Sequence, residues 1–367
     1  MKKLFYLFLI MVMVTGAFWG RVVSAEESSS PSTGLIVSAD DAKIQYFGRW
    51  DHSTPGVVRT GRGATYIKAN FTGTSIKVRL QDKENLWQYS IDGGDVKKFR
   101  PQGAETVLAD ALPAGNHSLL LVRRTEGYMG ISSFGGFELA AGEQLNDPDP
   151  VADRRMEFVG DSITAGAINE GKGSYANMEN GYMAFGPQLA RMLNADWSIV
   201  AKSGEGLIHN YAEPWPGTQV HTKDQYLRTF YTDEQPAWDP ATFAPQAIVI
   251  AGGTNDFSDN NHRPTRNEFE KGYTELINTV RAKNPDAVII CVEPVPSWVG
   301  ADSRQWISEV VKTLGVTDKK LYFVPINADK PLLAEQEFVG DSTHPTVKGH
   351  TKVAAYLKDK VAGIMGW

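Results

Sequence analysis

The sequence predicts two domains of different class. An all-β jelly-roll or β-sandwich domain spans residues 34–140, and an α/β domain with a parallel sheet spans residues 154–367. Three observations predict this. Residues 34–140 alternate apolar and polar positions in short runs separated by turn residues, the mark of half-buried antiparallel strands. From residue 154 the pattern changes to apolar strands, each ending in a loop, with helical segments between several of them, the mark of a covered parallel sheet. Between the two, residues 141–153 (AGEQLNDPDPVAD) are polar and set two prolines among aspartates, as a linker does.

The length of 367 residues suits two such domains. Lys and Arg number 37 against 43 Asp and Glu, a net charge of −6. A mildly acidic chain without a basic run argues against nucleic acid as a partner. The single cysteine, Cys291, excludes an internal disulfide framework and a cysteine-based zinc site. It stands in the apolar run AVIICV, as a buried inert thiol does.

The elements follow in order. Lys2 and Lys3 precede an apolar run from Leu4 to Trp19, and a small-residue end, Val23-Ser24-Ala25, follows. This is the grammar of a secretory signal over residues 1–25. The run is short for a membrane span, so the expectation is a secreted, extracellular protein with no membrane association after cleavage. In the first domain, Thr65, Ile67, Ala69 and Phe71 face one way in GATYIKANF, as do Ile76, Val78 and Leu80 in SIKVRL. The strands LWQYSI, VKKF, TVLAD, HSLLLVRR and FGGFELA complete the set. Trp50 and Trp87 read as sandwich core. In the second domain, RRMEFVG, DWSIVAKSG, QAIVIAGG, AVIICVEP and KLYFVPI read as strands. GYMAFGPQLARMLN contains a helix from about Gly181. TRNEFEKGYTELINTVRAKN carries Phe269, Leu276 and Val280 at helical spacing. HPTVKGHTKVAAYLKDKVAGIM closes the chain, with Pro345 opening the helix.

Ligands of parallel α/β sheets bind at the carboxyl ends of the strands. That rule brings four segments together: Gly160-Asp161-Ser162, Ser203-Gly204-Glu205-Gly206, Gly252-Gly253-Thr254-Asn255-Asp256, and Asp341-Ser342-Thr343-His344 before the last helix. One chemistry uses all four. Ser162 is a nucleophile, His344 its general base, and Asp341 the carboxylate that fixes the imidazole tautomer. The N–H groups of Ser162 and Gly204 and the Asn255 amide would meet the oxyanion. Asp161 and Asp256 read as capping or network residues. Trp215, Trp238 and Trp298 lie in proline-containing loops where an indole face could stack on a sugar ring.

Gly-Asp-Ser, a glycine block, Gly-x-Asn-Asp and Asp-x-x-His, in that order, resemble the SGNH (GDSL-type) hydrolases over residues 154–367. The resemblance implies an α/β SGNH fold with a flavodoxin-like parallel sheet. A finer resemblance is to carbohydrate esterase family 2, the acetyl xylan esterase-like enzymes, which set a β-sandwich before such a domain. It rests on Tyr46-Phe47-Gly48-Arg49-Trp50, on Glu179-Asn180-Gly181-Tyr182 through Phe185-Gly186-Pro187, and on Ser203-Gly204-Glu205-Gly206-Leu207. It implies a serine esterase that removes acetyl groups from plant polysaccharides of the xylan or mannan type. The segment before His344 departs from the family in lacking a tryptophan.

Other readings have less support. No HExxH or His-x₃-His spacing occurs, so neither a catalytic metal nor another cofactor is expected. His350 reads as a helix-surface residue. The stretch from Gly166 to Gly173 approaches a phosphate-binding loop but lacks the hydroxyl residue after Lys172. No Gly-x-Ser-x-Gly elbow is present. A non-catalytic carbohydrate-binding or adhesion protein would have no use for an aligned serine and histidine. A lipase or thioesterase would want an apolar acyl groove, whereas these loops are polar and aromatic.

Overall fold

A computed structural model describes residues 34–217, 219–258 and 262–367. The expected signal over residues 1–25 lies outside the described residues. No helix among the described residues is long and apolar enough to cross a membrane.

The first half forms short antiparallel strands: β1 (Leu35–Val37), β2 (Gln45–Phe47), β3 (Asp51–Thr54), β4 (Val57–Thr60), β5 (Tyr66–Gly73), β6 (Ile76–Gln81), β7 (Trp87–Ile91), β8 (Lys97–Phe99), β9 (Thr106–Ala109), β10 (Gly115–Arg123), β11 (Ser132–Leu139) and β12 (Gln144–Leu145). They make two six-stranded sheets, one ordered β3-β4-β11-β6-β9 with β1 beside β11, the other β12-β5-β10-β7-β8 with β2 beside β5. The period-two pattern explains the packing. Ile67, Ala69 and Phe71 of one sheet face Ile76, Val78 and Leu80 of the other in a shared core, with Trp50 and Trp87 inside it. Gln144–Leu145, within the stretch expected as linker, pairs with Thr72 and Phe71 at the sheet edge.

The second half contains β13 (Arg154–Gly160), β14 (Ala195–Ala201), β15 (Ala247–Ala251), β16 (Val288–Val292) and β17 (Leu321–Val324), all parallel, in the order β14-β13-β15-β16-β17. Its helices are α1 (Ser162–Ala165), α2 (Tyr175–Met178), α3 (Phe185–Met192), α4 (Thr222–Tyr226), α5 (Arg266–Lys283), α6 (Ala301–Leu314) and α7 (Val347–Met365). One sheet face packs on α3 and α7 through residues such as Phe158, Leu189 and Leu357. The other packs on α5 and α6 through Ile248, Phe269, Leu276 and Ile307. Burial on both faces is why these strands are continuously apolar. Thr265 caps α5, paired with Glu268 in a capping box. α7 opens later than Pro345: Thr346 is its cap, accepting from the Gly349 N–H, and Pro345 instead bridges to Phe338.

The two halves are joined by buried arginines. Arg49 donates to the Tyr226 carbonyl at 2.6 Å and reaches Glu157 at 3.3 Å. Arg62 donates to the carbonyls of Gln225, Arg228, Thr229 and Phe230 at 2.9–3.2 Å. Burial pulls the Arg62 pKa down to about 9 against the pull of Glu205 and Glu157, so it stays charged near neutrality, its N–H groups met by carbonyl oxygens in place of water.

Candidate active site

The strand order reverses at β13, whose neighbours β14 and β15 run off in opposite directions. A crevice opens at such a point, beyond the carboxyl ends of the strands. Gly160 ends β13 where a Cβ would stand 2.3 Å from the Ala251 carbonyl, so only glycine lets the chain turn there. Asp161 caps α1 by accepting from the Ile163 N–H at 3.0 Å. Ser162 is then the first helical residue, its N–H without an intrahelical acceptor.

Ser162 Oγ lies 2.8 Å from His344 Nε2. His344 Nδ1 lies 2.5 Å from Asp341 Oδ2. The other carboxylate oxygen accepts the backbone N–H groups of Thr343 and His344, each at 2.9 Å. Ser342 takes a left-handed conformation, φ 57°, which turns the carboxylate back onto the ring. Partial burial pushes the Asp341 pKa up, but the bonds from the His344 ring and from these N–H groups outweigh it. The carboxyl therefore sits below its usual range and stays ionised.

Gly204 and Asn255 line the same cleft of about 510 Å³, with Ser162, Tyr175, Ser203, Tyr211, Trp298 and Asp341. Gly204 is left-handed, φ 78°, a conformation glycine takes without strain. Asn255 Nδ2 spends one proton on the Glu205 carbonyl at 2.8 Å, which fixes the amide while a second proton remains. Asp256 carries the loop behind it, its carboxylate accepting the N–H groups of Leu207, Ile208 and His209 at 2.9–3.2 Å. Burial pushes its pKa up to about 6 in spite of those bonds. Asp161 is likewise raised by burial. Both have the network roles their positions suggested.

The tryptophans part company. Trp298, 41% exposed, walls the cleft and donates from Nε1 to Thr343 Oγ1 at 3.2 Å. Trp215, also 41% exposed, stacks on His262 at 3.5 Å between ring centroids and is not part of this cleft wall. Trp238 is only 6% exposed and lies beneath the Arg49 guanidinium at 5.1 Å. It serves the contact between the halves and is not available to a sugar. His350 corrects a second expectation: it is fully buried on α7, stacks on Phe185 and accepts the Phe185 N–H at 3.1 Å. Burial drives its pKa down to about 3. Cys291 is buried as expected, its thiol pushed up to about 12 by burial.

Two features escape sequence reasoning. Tyr211, 65% exposed, stands at the cleft, and a lone loop tyrosine gives no signal. A second groove of about 650 Å³ shares Tyr175 and Ser203 with the cleft and continues over the sandwich past Tyr128, Lys83 and Arg100. No group of three or more potential metal ligands occurs among the described residues.

Comparison with known proteins agrees with this architecture. A family model of the carbohydrate esterase 2 N-terminal domain matches residues 46–148, and one of the GDSL-like lipase/acylhydrolase family matches residues 158–352. The cellulase/esterase CelE of Acetivibrio thermocellus is 33% identical over 354 residues, 94% of this chain but 41% of that protein, so the chain spans less than half of that relative. An acetylxylan esterase/glucomannan deacetylase of Cellvibrio japonicus is 27% identical over 387 residues, with both chains fully covered. Among solved structures, a family two carbohydrate esterase from Clostridium thermocellum, in complex with cellohexaose, superposes with a TM-score of 0.79 at 31% identity, covering 88% of this chain and 99% of that one.

Proposed function

The chain belongs to the GDSL-like lipase/acylhydrolase family, as a family two carbohydrate esterase, and from that footing we propose that it is a secreted serine esterase removing O-acetyl groups from plant polysaccharides. The observation that carries the reading is the unbroken line of contacts from Asp341 through His344 to Ser162, 2.5 Å and 2.8 Å long, at the mouth of a cleft shared with Gly204 and Asn255.

In this mechanism Ser162 Oγ attacks the acetyl carbonyl carbon while His344 Nε2 takes its proton. Asp341 holds Nδ1–H and stabilises the imidazolium as it forms. The carbonyl oxygen becomes an oxyanion and is met by the Ser162 and Gly204 N–H groups and the free Asn255 amide proton. His344 gives its proton to the departing sugar oxygen. It then draws a proton from the water that attacks the acetyl-enzyme, and returns that proton to Ser162 Oγ as acetate leaves. No step calls for a metal or an organic cofactor, and EDTA is expected to leave turnover unchanged.

The cleft wall favours sugar esters over long acyl chains. Tyr211, Tyr175 and Trp298 offer aromatic faces edged with hydroxyls and an indole N–H, the chemistry that meets a pyranose ring. The adjoining groove past Tyr128 gives room for neighbouring sugars of a polymer. The test is acetate release from acetylated xylan, mannan and cellulose, set beside 4-nitrophenyl esters of rising acyl length. Activity confined to acetyl esters, with a polymer among the better substrates, is expected. Turnover that rises with acyl length would make the protein a lipase-type acylhydrolase instead. Secretion is tested by locating the protein in culture medium and sequencing its N-terminus, expected near Glu26.

A further inference from the structure

Ser203 is the residue before Gly204, and its environment comes from the other half of the chain. Glu126 follows β10 of the sandwich, separated from Ser203 by 77 positions, and is 1% exposed. Its Oε2 accepts the Ser203 N–H at 2.6 Å, and its Oε1 accepts the Ser203 hydroxyl proton. Since that proton is spent, Tyr175 donates its own to Ser203 Oγ at 3.1 Å. Beyond Ser203, the Gly204 carbonyl accepts the Tyr211 N–H at 2.8 Å. The two residues flanking the Gly204 N–H are therefore held from both sides.

Glu126 is itself fixed. Its carbonyl accepts from Arg123 Nη2 at 3.2 Å, and its N–H donates to Glu179 Oε1 at 2.6 Å. Burial raises both carboxyls, Glu179 well above the usual carboxylate range with the Glu126 charge adding to it, and Glu126 against the opposing pull of its two Ser203 hydrogen bonds. With two Ser203 donors aimed at its two oxygens, Glu126 serves as their acceptor.

We propose that Glu126 is a positioning residue for the oxyanion site: the sandwich supplies the carboxylate that sets Ser203, and through Ser203 the aim of the Gly204 N–H. The inference rests on the esterase reading above. It gives the sandwich a part in turnover in addition to any part in binding. Donor aim matters because an oxyanion hole works only when its N–H groups already point at the developing charge.

Glu126→Gln keeps the shape but not the chemistry. One amide oxygen can accept only toward one Ser203 donor, and the NH₂ group faces the other donor. Loss of an oxyanion donor costs about 10²–10³ in turnover elsewhere, so a misaimed one is expected to lower kcat by roughly 10- to 100-fold. KM should stay within about twofold, because ground-state binding is made elsewhere. Glu126 makes no hydrogen bond to His344 or Asp341 but its charge interacts with His344, so the pH at which kcat/KM falls on the acid side should move only slightly, toward lower pH. Glu126→Asp, which keeps two acceptor oxygens, should recover part of kcat. Ser203→Ala, which keeps the N–H bond, should lose less than Glu126→Gln and offers the same test should that variant fold poorly.

Wild-type kcat in Glu126→Gln, with Ser162→Ala inactive, would overturn this inference and leave the esterase reading intact. So would a loss in which KM, the pH profile and the melting temperature all move together, since that marks a domain contact only. An inactive wild-type enzyme would overturn the esterase reading itself, and the inference with it.

Discussion

His344 Nδ1 lies 2.5 Å from Asp341 Oδ2, and the second oxygen of that carboxylate holds the His344 backbone N–H at 2.9 Å. One side chain thus fixes both the ring and the turn that carries it. The tautomer follows: Nδ1 bears the proton, and Nε2 faces Ser162 as acceptor.

Asp341→Ala should therefore lower kcat far more than it raises KM. Loss of the orienting carboxylate in a related triad costs up to about 10⁴ in turnover, which sets the ceiling. Steady-state kinetics on 4-nitrophenyl acetate checks it. A loss below about tenfold would favour a Ser162–His344 dyad oriented by other groups.

Asp256→Ala leaves the N–H groups of Leu207, Ile208 and His209 buried without their acceptor. Each such group costs about 1–3 kcal/mol. The melting temperature should fall by many degrees, and residual kcat should fall too, since the same loop leads back to Gly204. Calorimetry with matched kinetics reads both. An unchanged melting temperature would mean that water replaces the carboxylate.

His350 predicts a pH slope in stability. Its folded pKa is about 3, against about 6.5 for an unperturbed histidine. The unfolded chain binds the proton first, so this contribution is complete above about pH 6.5 and is lost as pH falls toward 3. His350→Leu removes that part of the slope, at the cost of the Phe185 N–H partner. Melting temperatures from pH 7 to pH 4 should converge for the two proteins as pH falls. Parallel curves would exclude His350 as a source of the slope.

Trp298→Ala should raise KM for acetylated oligosaccharides by roughly 5- to 30-fold, the loss of about 1–2 kcal/mol of ring contact, with a smaller change for 4-nitrophenyl acetate. Trp238→Ala should act on stability instead, because its ring is buried under Arg49. Equal KM changes in the two variants would contradict this division.

The strand-end rule made most of the site legible. Ser162, Gly204 and Asn255 each follow an apolar strand, and parallel strands deliver their ends to one edge. Asp341 and His344 were legible from spacing alone, as three residues suffice for the turn. Glu126, Arg49 and Arg62 were not. A buried charged residue looks like a surface residue in a single sequence, because its partners lie far along the chain, as Glu126 and Ser203 do. His350 was misread for the same reason: helical spacing says which face it shares, and only the packing of α3 against α7 says that face is covered. The tryptophans divided on a property the sequence hides, namely whether a loop folds inward or outward.

Acyl transfer through Ser162 is tested by acetate release from acetylated xylan, measured for the wild-type protein and for Ser162→Ala. Steady release by the wild type is expected, with a loss of at least about 10⁴-fold in the variant, as removal of a triad nucleophile gives elsewhere. The variant should keep its fold, because its neighbour Asp161 still caps α1. Hydrolysis by Ser162→Ala at the wild-type rate would contradict the mechanism outright.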